Sequence, residues 1–428
     1  MIDIDRAIVG GTVRAPPSKP LTMRFLLASL LADVTLIGLE DVLALDFQAT
    51  LKALNKLGVR SRMEAGALEL SPPSHFPSFV EIDAGGSASL VRMLAPVLAA
   101  AGVRARFDGD QSLRSRPMTS LVKSLEAAGV PVAHEGFRLP LEVRGHLKGK
   151  ELTVFGEESS QQVTGFVYAL ALQGGGELTV KGLSSRSYVE LTRWALSQVG
   201  ITVKENEQGY SIGGSRGGVR GDRYKLTIGG DYLISSFYVA ASMLTGGSVR
   251  VEGLYPQLDF FGDHSVVGVF SALGAEGGFH DGIWEVKGWK SEKGMLELDF
   301  DESPDMALSV SPLLAVAGGE LKGVSRLTLK ESDRISGMVR IAESLGLPAA
   351  ARDGLLAFKG GVPRRGVVDP RGDHRLAMMS SSIMAASGGI IEDATCVSKS
   401  DPLYWDRYAS IGGKIRWLRG RRSSSPFQ

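Results

Sequence analysis

The chain has 428 residues, 43% apolar and 22% charged, a composition that suits a globular protein with room for two or three domains. Its 48 Lys and Arg balance 47 Asp and Glu, so no overall field favours nucleic acid or an anionic membrane, and an anion site must come from a local cluster. The one cysteine, Cys396, excludes a disulfide framework and a thiolate metal cage and fits a reducing cytoplasm.

Residues 1–11 carry acids early and lack the basic stretch and apolar run of a signal peptide. The segment from Ile2 to Ala15 reads as one opening strand that could belong with the C-terminal half, and Pro16-Pro17 fixes the backbone after it. At Pro17 begins the first of six similar stretches; the others start at Gly85, Glu158, Gly230, Glu302 and Arg371. Each has a polar turn, an apolar run of helical length, a small-residue break and a short strand ending near glycine. Most are followed by a second, amphipathic helix closing on a Leu-Gly-like break, as in TLKALNKLG, SLVKSLEAAG and VRIAESLG, and then by a strand pair.

The period is roughly 70 residues, longer than the common solenoid repeats. Each unit reads strand–helix–strand–helix–strand–strand, and six copies predict an α/β protein of two domains with three units each. The expected division joins residues 1–14 with 229–428 and leaves 15–228 as the other domain, with crossings near Ala15 and Gly229. Apolar stretches such as Leu94 to Ala101 fall well short of the ~20 residues that span a bilayer. The basic, serine-rich end from Arg419 reads as a frayed tail.

The polar turns ahead of the apolar helices hold the chemistry. A helix N-terminus offers free N–H groups and partial positive charge, which suits anions. Ser18, Lys19 and Arg24 stand at the first, Ser87, Ser89 and Arg92 at the second, Ser159, Ser160 and Gln161 at the third, and Asp373, His374 and Arg375 at the last. The plainer reading makes Ser and Asp helix caps and Arg solvated surface; recurrence of cations at one place in the repeat favours an anion site. The sharpest string is LKESDRI, where Lys330, Glu331, Asp333 and Arg334 crowd one helix start. Two cations there need an anionic partner, either these acids or a ligand. A phosphate loop of the G-x-x-x-x-G-K-S/T type is missing, as are a dinucleotide fingerprint and a nucleophile elbow, and the six histidines lack metal spacing. No metal or cofactor is expected.

SKPLTMR, SSQQ, SPDMA, LKESDR, DHRLAM and SKSDP occur in the order seen in the 5-enolpyruvylshikimate-3-phosphate synthases, and the chain resembles that family over nearly its whole length. The resemblance implies two inside-out α/β domains, each of three βαβαββ repeats, with the active site in the interdomain cleft. It implies transfer of the enolpyruvyl group of phosphoenolpyruvate to the 5-hydroxyl of shikimate 3-phosphate, with the first domain on the phosphoenolpyruvate side and domain closure on binding. By the same resemblance Lys19, Arg24, Ser159, Ser160, Gln161, Ser185, Tyr188, Asp305 and Lys330 bind shikimate 3-phosphate. Lys19, Ala88, Arg116, Gln161, Arg334, Arg375 and Lys399 bind phosphoenolpyruvate, and Asp305, Glu331 and Lys19 share the proton transfers. A cytoplasmic monomer that binds neither nucleic acid nor membrane is expected.

The chain departs from the family pattern at Pro20, where serine is usual, at Gly86 and Ala88 in the loop usually written G-N-S/A-G-T, and at Arg326. Family members with alanine at the Ala88 position tend to tolerate glyphosate, so reduced sensitivity is expected. The sister enzymes that act on a UDP-amino sugar usually carry a cysteine on the loop that matches Arg116-Pro117-Met118, which has none here. Nucleic-acid 3′-phosphate cyclases would want a basic surface, at odds with a net charge of +1.

Overall fold

The computed structural model describes residues 1–40, 42–64, 66–213, 223–290 and 296–418. The basic tail from Arg419 and most of the glycine-rich run before Gly221 lie outside the described residues. The chain divides into two compact units, one of Met1–Pro16, Gly230–Gln257 and Asp263–Gln428, the other of Pro17–Gly229 and Leu258–Gly262.

Among the described residues six four-stranded sheets share one topology, three to a unit. In the repeat that starts at Glu151, strand Glu151–Gly156 runs parallel to Gly175–Leu183, which pairs antiparallel with Gly209–Gly213, which pairs antiparallel with Val203–Asn206. The parallel pair needs a crossover, and helix Ser160–Leu172 supplies it. The apolar stretches of the sequence form the equivalent helices Lys19–Ala28, Ala88–Ala100, Tyr232–Thr245, Met306–Ala317 and His374–Ser387.

These helices are apolar almost all round because almost all of each is buried, as an inside-out α/β fold requires. Ala88–Ala100 and Ser160–Leu172 approach so closely that a Cβ on Gly165 would lie 2.7 Å from the carbonyl oxygens of Arg92 and Met93. Several hydroxyls inside the helices find backbone acceptors; Ser382 Oγ donates to the Phe237 carbonyl at 2.8 Å, tying His374–Ser387 to Tyr232–Thr245.

The opening segment is two strands rather than one. Ile2–Asp5 pairs with Gly389–Ile391 and Lys414–Trp417, whereas Gly11–Arg14 runs parallel to Val249–Glu252 in another sheet of the same unit. The change of sheet needs a close approach at Gly10, where a Cβ would stand 2.6 Å from the Ser248 carbonyl oxygen. The other unit is completed in a related way, since strand Arg223–Thr227 runs parallel to Asp33–Ile37 in its first sheet.

Candidate active site

In the first unit, three helix starts and one short turn assemble a charged cluster. Asp305 immediately precedes helix Met306–Ala317, Arg334 opens Arg334–Ser344, Arg375 lies in the first turn of His374–Ser387, and Lys399 ends the 3₁₀ helix Ala394–Lys399. LKESDRI splits at the helix boundary. Asp333 is the N-cap, accepting from the Ser336 N–H at 3.2 Å, while Lys330 and Glu331 precede the helix.

Arg334 is 1% exposed and its guanidinium is shared by three carboxylates. Nε donates to Asp373 Oδ2 at 2.8 Å and Nη2 to Asp373 Oδ1 at 3.2 Å, Nη1 to Asp305 Oδ1 at 2.6 Å, and Nη2 also to Glu331 Oε2 at 2.6 Å. Lys399 Nζ lies 3.2 Å from the other Glu331 oxygen. Lys330 Nζ is 3.5 Å from Asp305 Oδ1, and Arg375 Nε 3.8 Å from Asp305 Oδ2. Lys330, Arg334, Arg375 and Lys399 thus face Asp305, Glu331 and Asp373, an excess of one positive charge within the cluster.

Burial by itself would raise the Asp305 carboxyl, but Lys330, Arg334 and Arg375 outweigh it and hold it well below the ordinary carboxylate range. Desolvation pushes the Lys330 ammonium down, with Asp305 opposing. Burial pulls Arg334 the same way, and Asp373, Glu331 and Asp305 together overcome it and raise it. The cluster therefore presents an ionised carboxylate, weakened as a base by the same cations, beside groups that can receive an anion.

In the second unit, Ser159 caps helix Ser160–Leu172 by accepting from the Gln161 N–H at 3.2 Å. Gln161 donates from Nε2 to Ser89 Oγ at 2.8 Å and accepts from Arg92 Nη1 at 3.3 Å. Arg92 Nη2 also donates to Glu158 Oε1 at 2.7 Å. These contacts join the second and third polar turns. Ala88 is the first residue of its helix and buried, behind the cap Ser87. Ser185, also buried, holds φ at +52°, a left-handed conformation that costs a non-glycine residue energy and often marks a functional turn. Lys19 pairs with Asp46, and Arg116 Nη2 donates to Ser112 Oγ at 3.3 Å.

Arg24 is engaged by the protein itself. Its guanidinium donates to Thr192 Oγ1 at 2.9 Å, the Pro20 carbonyl at 2.7 Å and the Tyr188 carbonyl at 2.7 Å, and it lies 5.9 Å from the Tyr188 ring centroid. Tyr188 packs edge-on against Phe261, with centroids 5.0 Å apart. Arg326, one of the departures, reaches Asp301.

Sequence reasoning gave no part to Asp373 beyond capping, nor any to Asp46 or Glu158, although each holds a cation of the site. Asp373 could have been suspected, because the cations of LKESDRI and DHR need counter-charges. Asp46 carries no local signal. Among the described residues no group of three or more His, Cys, Asp or Glu could hold a metal, and no helix is long and apolar enough to cross a membrane.

Fold and side chains define an α/β protein of six βαβαββ repeats that presents cations, hydroxyls and a deprotonated carboxylate at the starts of its buried helices. The family model of EPSP synthase (3-phosphoshikimate 1-carboxyvinyltransferase) matches residues 5–408, and the chain belongs to that family. The 3-phosphoshikimate 1-carboxyvinyltransferase of Saccharolobus solfataricus is 35% identical over 419 residues, 95% of this chain and 97% of that protein. That of Sulfurisphaera tokodaii is 33% identical over 422 residues, 97% of this chain and 99% of the relative. The solved EPSP synthase of Acinetobacter baumannii has the same fold, with a TM-score of 0.73 at 22% identity, covering 97% of this chain and 99% of that one.

Proposed function

We propose that the protein transfers the enolpyruvyl group of phosphoenolpyruvate to the 5-hydroxyl of shikimate 3-phosphate, releasing phosphate. The observation that carries this reading is the cluster in which Lys330 and Arg375 flank an Asp305 held ionised, with Glu331 between Arg334 and Lys399. The reaction is an addition followed by an elimination. The hydroxyl oxygen bonds to C2 of phosphoenolpyruvate as its proton leaves and C3 gains one; C3 then returns a proton as the C2–O bond to phosphate breaks. A base is needed at the hydroxyl and an acid at C3.

Asp305 takes the hydroxyl proton in this proposal, since Lys330, Arg334 and Arg375 keep it deprotonated in the free protein. Glu331 serves C3, with Lys19 assisting. Arg334 and Arg375 receive the phosphoenolpyruvate carboxylate, a geometry the planar guanidinium suits. Arg116 and Lys399 take its phosphate, and Gln161 and Ala88 line its pocket. Ser159, Ser160 and Ser185 take the 3-phosphate, where the free N–H groups of helix Ser160–Leu172 add to the hydroxyls. Arg24, Tyr188 and Lys330 complete the shikimate side. In this reading residues 1–14 and 229–428 form the phosphoenolpyruvate side with the catalytic carboxylates and 15–228 the shikimate 3-phosphate side, although Ala88, Arg116 and Gln161 of the latter serve phosphoenolpyruvate and Lys330 of the former serves shikimate 3-phosphate.

A cytoplasmic monomer apart from nucleic acid and membrane completes the proposal, and the net charge of +1 supports the exclusion of nucleic acid. The test is phosphate release from phosphoenolpyruvate with shikimate 3-phosphate, with UDP-N-acetylglucosamine as the parallel acceptor. Release with shikimate 3-phosphate alone is expected. Release only with the sugar nucleotide, or with neither, overturns the proposal.

A further inference from the structure

We propose that Asp401 is a positioning residue that fixes the turn from which Lys399 reaches the site. This rests on the reading of Lys399 as a phosphate ligand. A lysine on a flexible four-carbon stem is only as well placed as the backbone behind it. Lys399 ends a 3₁₀ helix, and the Val397 carbonyl then accepts the N–H groups of Ser400 at 3.0 Å and Asp401 at 2.9 Å.

What holds this turn is the Asp401 side chain, which is fully buried. Its Oδ1 accepts from the Leu403 N–H at 3.0 Å and pairs with the Arg407 guanidinium on helix Tyr404–Ser410. Its Oδ2 accepts from the Tyr238 hydroxyl at 3.2 Å, and Tyr238 lies on the buried helix Tyr232–Thr245. The Tyr238 ring stacks on Tyr404, with centroids 5.1 Å apart, and the Tyr404 hydroxyl is 2.7 Å from Ser381 Oγ. Ser381 lies on His374–Ser387, the helix that begins with Asp373 as its cap and carries Arg375. One carboxylate thus refers the Lys399 turn to two buried helices, one of which carries other groups of the charged cluster.

A stability role accounts poorly for this arrangement. A buried ion pair returns little net stability compared with apolar side chains of the same volume, because both charges must leave water. A defined position for the chain two residues from Lys399 is what the pair and its hydroxyl partner provide.

The experiment is steady-state kinetics with phosphoenolpyruvate and shikimate 3-phosphate for Asp401→Asn, Tyr238→Phe, Lys399→Met and the double variants. Tyr238→Phe keeps the ring stack and removes only the hydroxyl, so it carries the test should Asp401→Asn fail to fold. Loss of positioning is expected to raise KM for phosphoenolpyruvate about ten-fold, with KM for shikimate 3-phosphate within about two-fold. In the Lys399→Met background Tyr238→Phe should add nothing, since the two act as a unit. A Tyr238→Phe protein with unchanged KM for phosphoenolpyruvate, or one whose effect persists in full beside Lys399→Met, overturns the role of Asp401. Lys399→Met with unchanged KM for phosphoenolpyruvate overturns the phosphate-ligand reading and the proposal together.

Discussion

Replacing Asp373 tests how the charged cluster is held together. The carboxylate is fully buried and makes four hydrogen bonds: two from Arg334 at 2.8 and 3.2 Å, one from Ser332 Oγ at 3.0 Å and one from the Arg375 N–H at 3.0 Å. Breaking a buried ion pair costs about 3–5 kcal/mol. Arg334 keeps Glu331 and Asp305, which argues for the low end, about 3 kcal/mol. Losing the helix cap adds about 1 kcal/mol, so Asp373→Ala should cost about 4 kcal/mol. Asp373→Asn keeps a cap acceptor and should cost about 3 kcal/mol.

Against a domain stability of about 5–15 kcal/mol these are large losses. The assay is urea unfolding of the unliganded protein by tryptophan fluorescence. Trp284, Trp289, Trp405 and Trp417 belong to the same unit as Asp373, and only Trp194 to the other, so the signal is weighted toward the cluster. Thermal melting should give a drop of roughly 8–16 °C for the alanine variant. Both variants staying within about 1 kcal/mol of the parent protein would refute the reasoning. Arg334 would then draw its support from Glu331 and Asp305 alone.

Asp305→Asn should flatten the acid side of the stability profile. The folded Asp305 carboxyl lies below its ordinary value of 3.8, so its contribution is present above that pH and is lost as pH falls through the folded value. Melting temperatures between pH 5 and pH 3 should fall more steeply for the parent protein, and parallel curves would contradict this. Arg24→Lys removes the guanidinium fork that ties its own helix to helix Ser187–Ser197, and should cost on the order of 3 kcal/mol in urea unfolding. A change under about 0.5 kcal/mol would assign Arg24 to ligand alone. Ala88→Gly should lower the inhibition constant for glyphosate; equal constants for the two proteins would sink the expectation of reduced sensitivity.

The repeat was legible because each buried helix is apolar almost all round, and a run such as Tyr232–Thr245 cannot be mistaken for a half-exposed strand. Residues 2–15 misled because Ile2 and Ile4 supply apolar positions to one strand and Val13 to another in a different sheet, while the bend between them depends on Ser248, far away in sequence. The cations of the candidate site stand out as short strings, since several charges crowd one helix start. Their partners do not. Arg334 and Asp373 are 39 positions apart, Lys19 and Asp46 belong to different helices, and side-chain pairing at that range leaves no local pattern. Arg24 reads the same whether it faces a ligand or two neighbouring helices; only packing distinguishes them.

The way each unit is completed sets an order for its assembly on the ribosome. Once residue 229 has been made, the unit that begins at Pro17 has the strands of all three of its sheets, the last being Arg223–Thr227. Its neighbour has by then only Ile2–Asp5 and Gly11–Arg14; the second waits for Val249–Glu252 and the first for partners as late as Lys414–Trp417. Domains tend to form as units during synthesis. One half of the molecule can therefore begin to organise near mid-chain, while Ile2–Asp5, the strand made first, remains unpaired until nearly the end. A circular permutant that begins at Pro17 and carries residues 1–16 after a linker would reverse that delay without altering a single sheet.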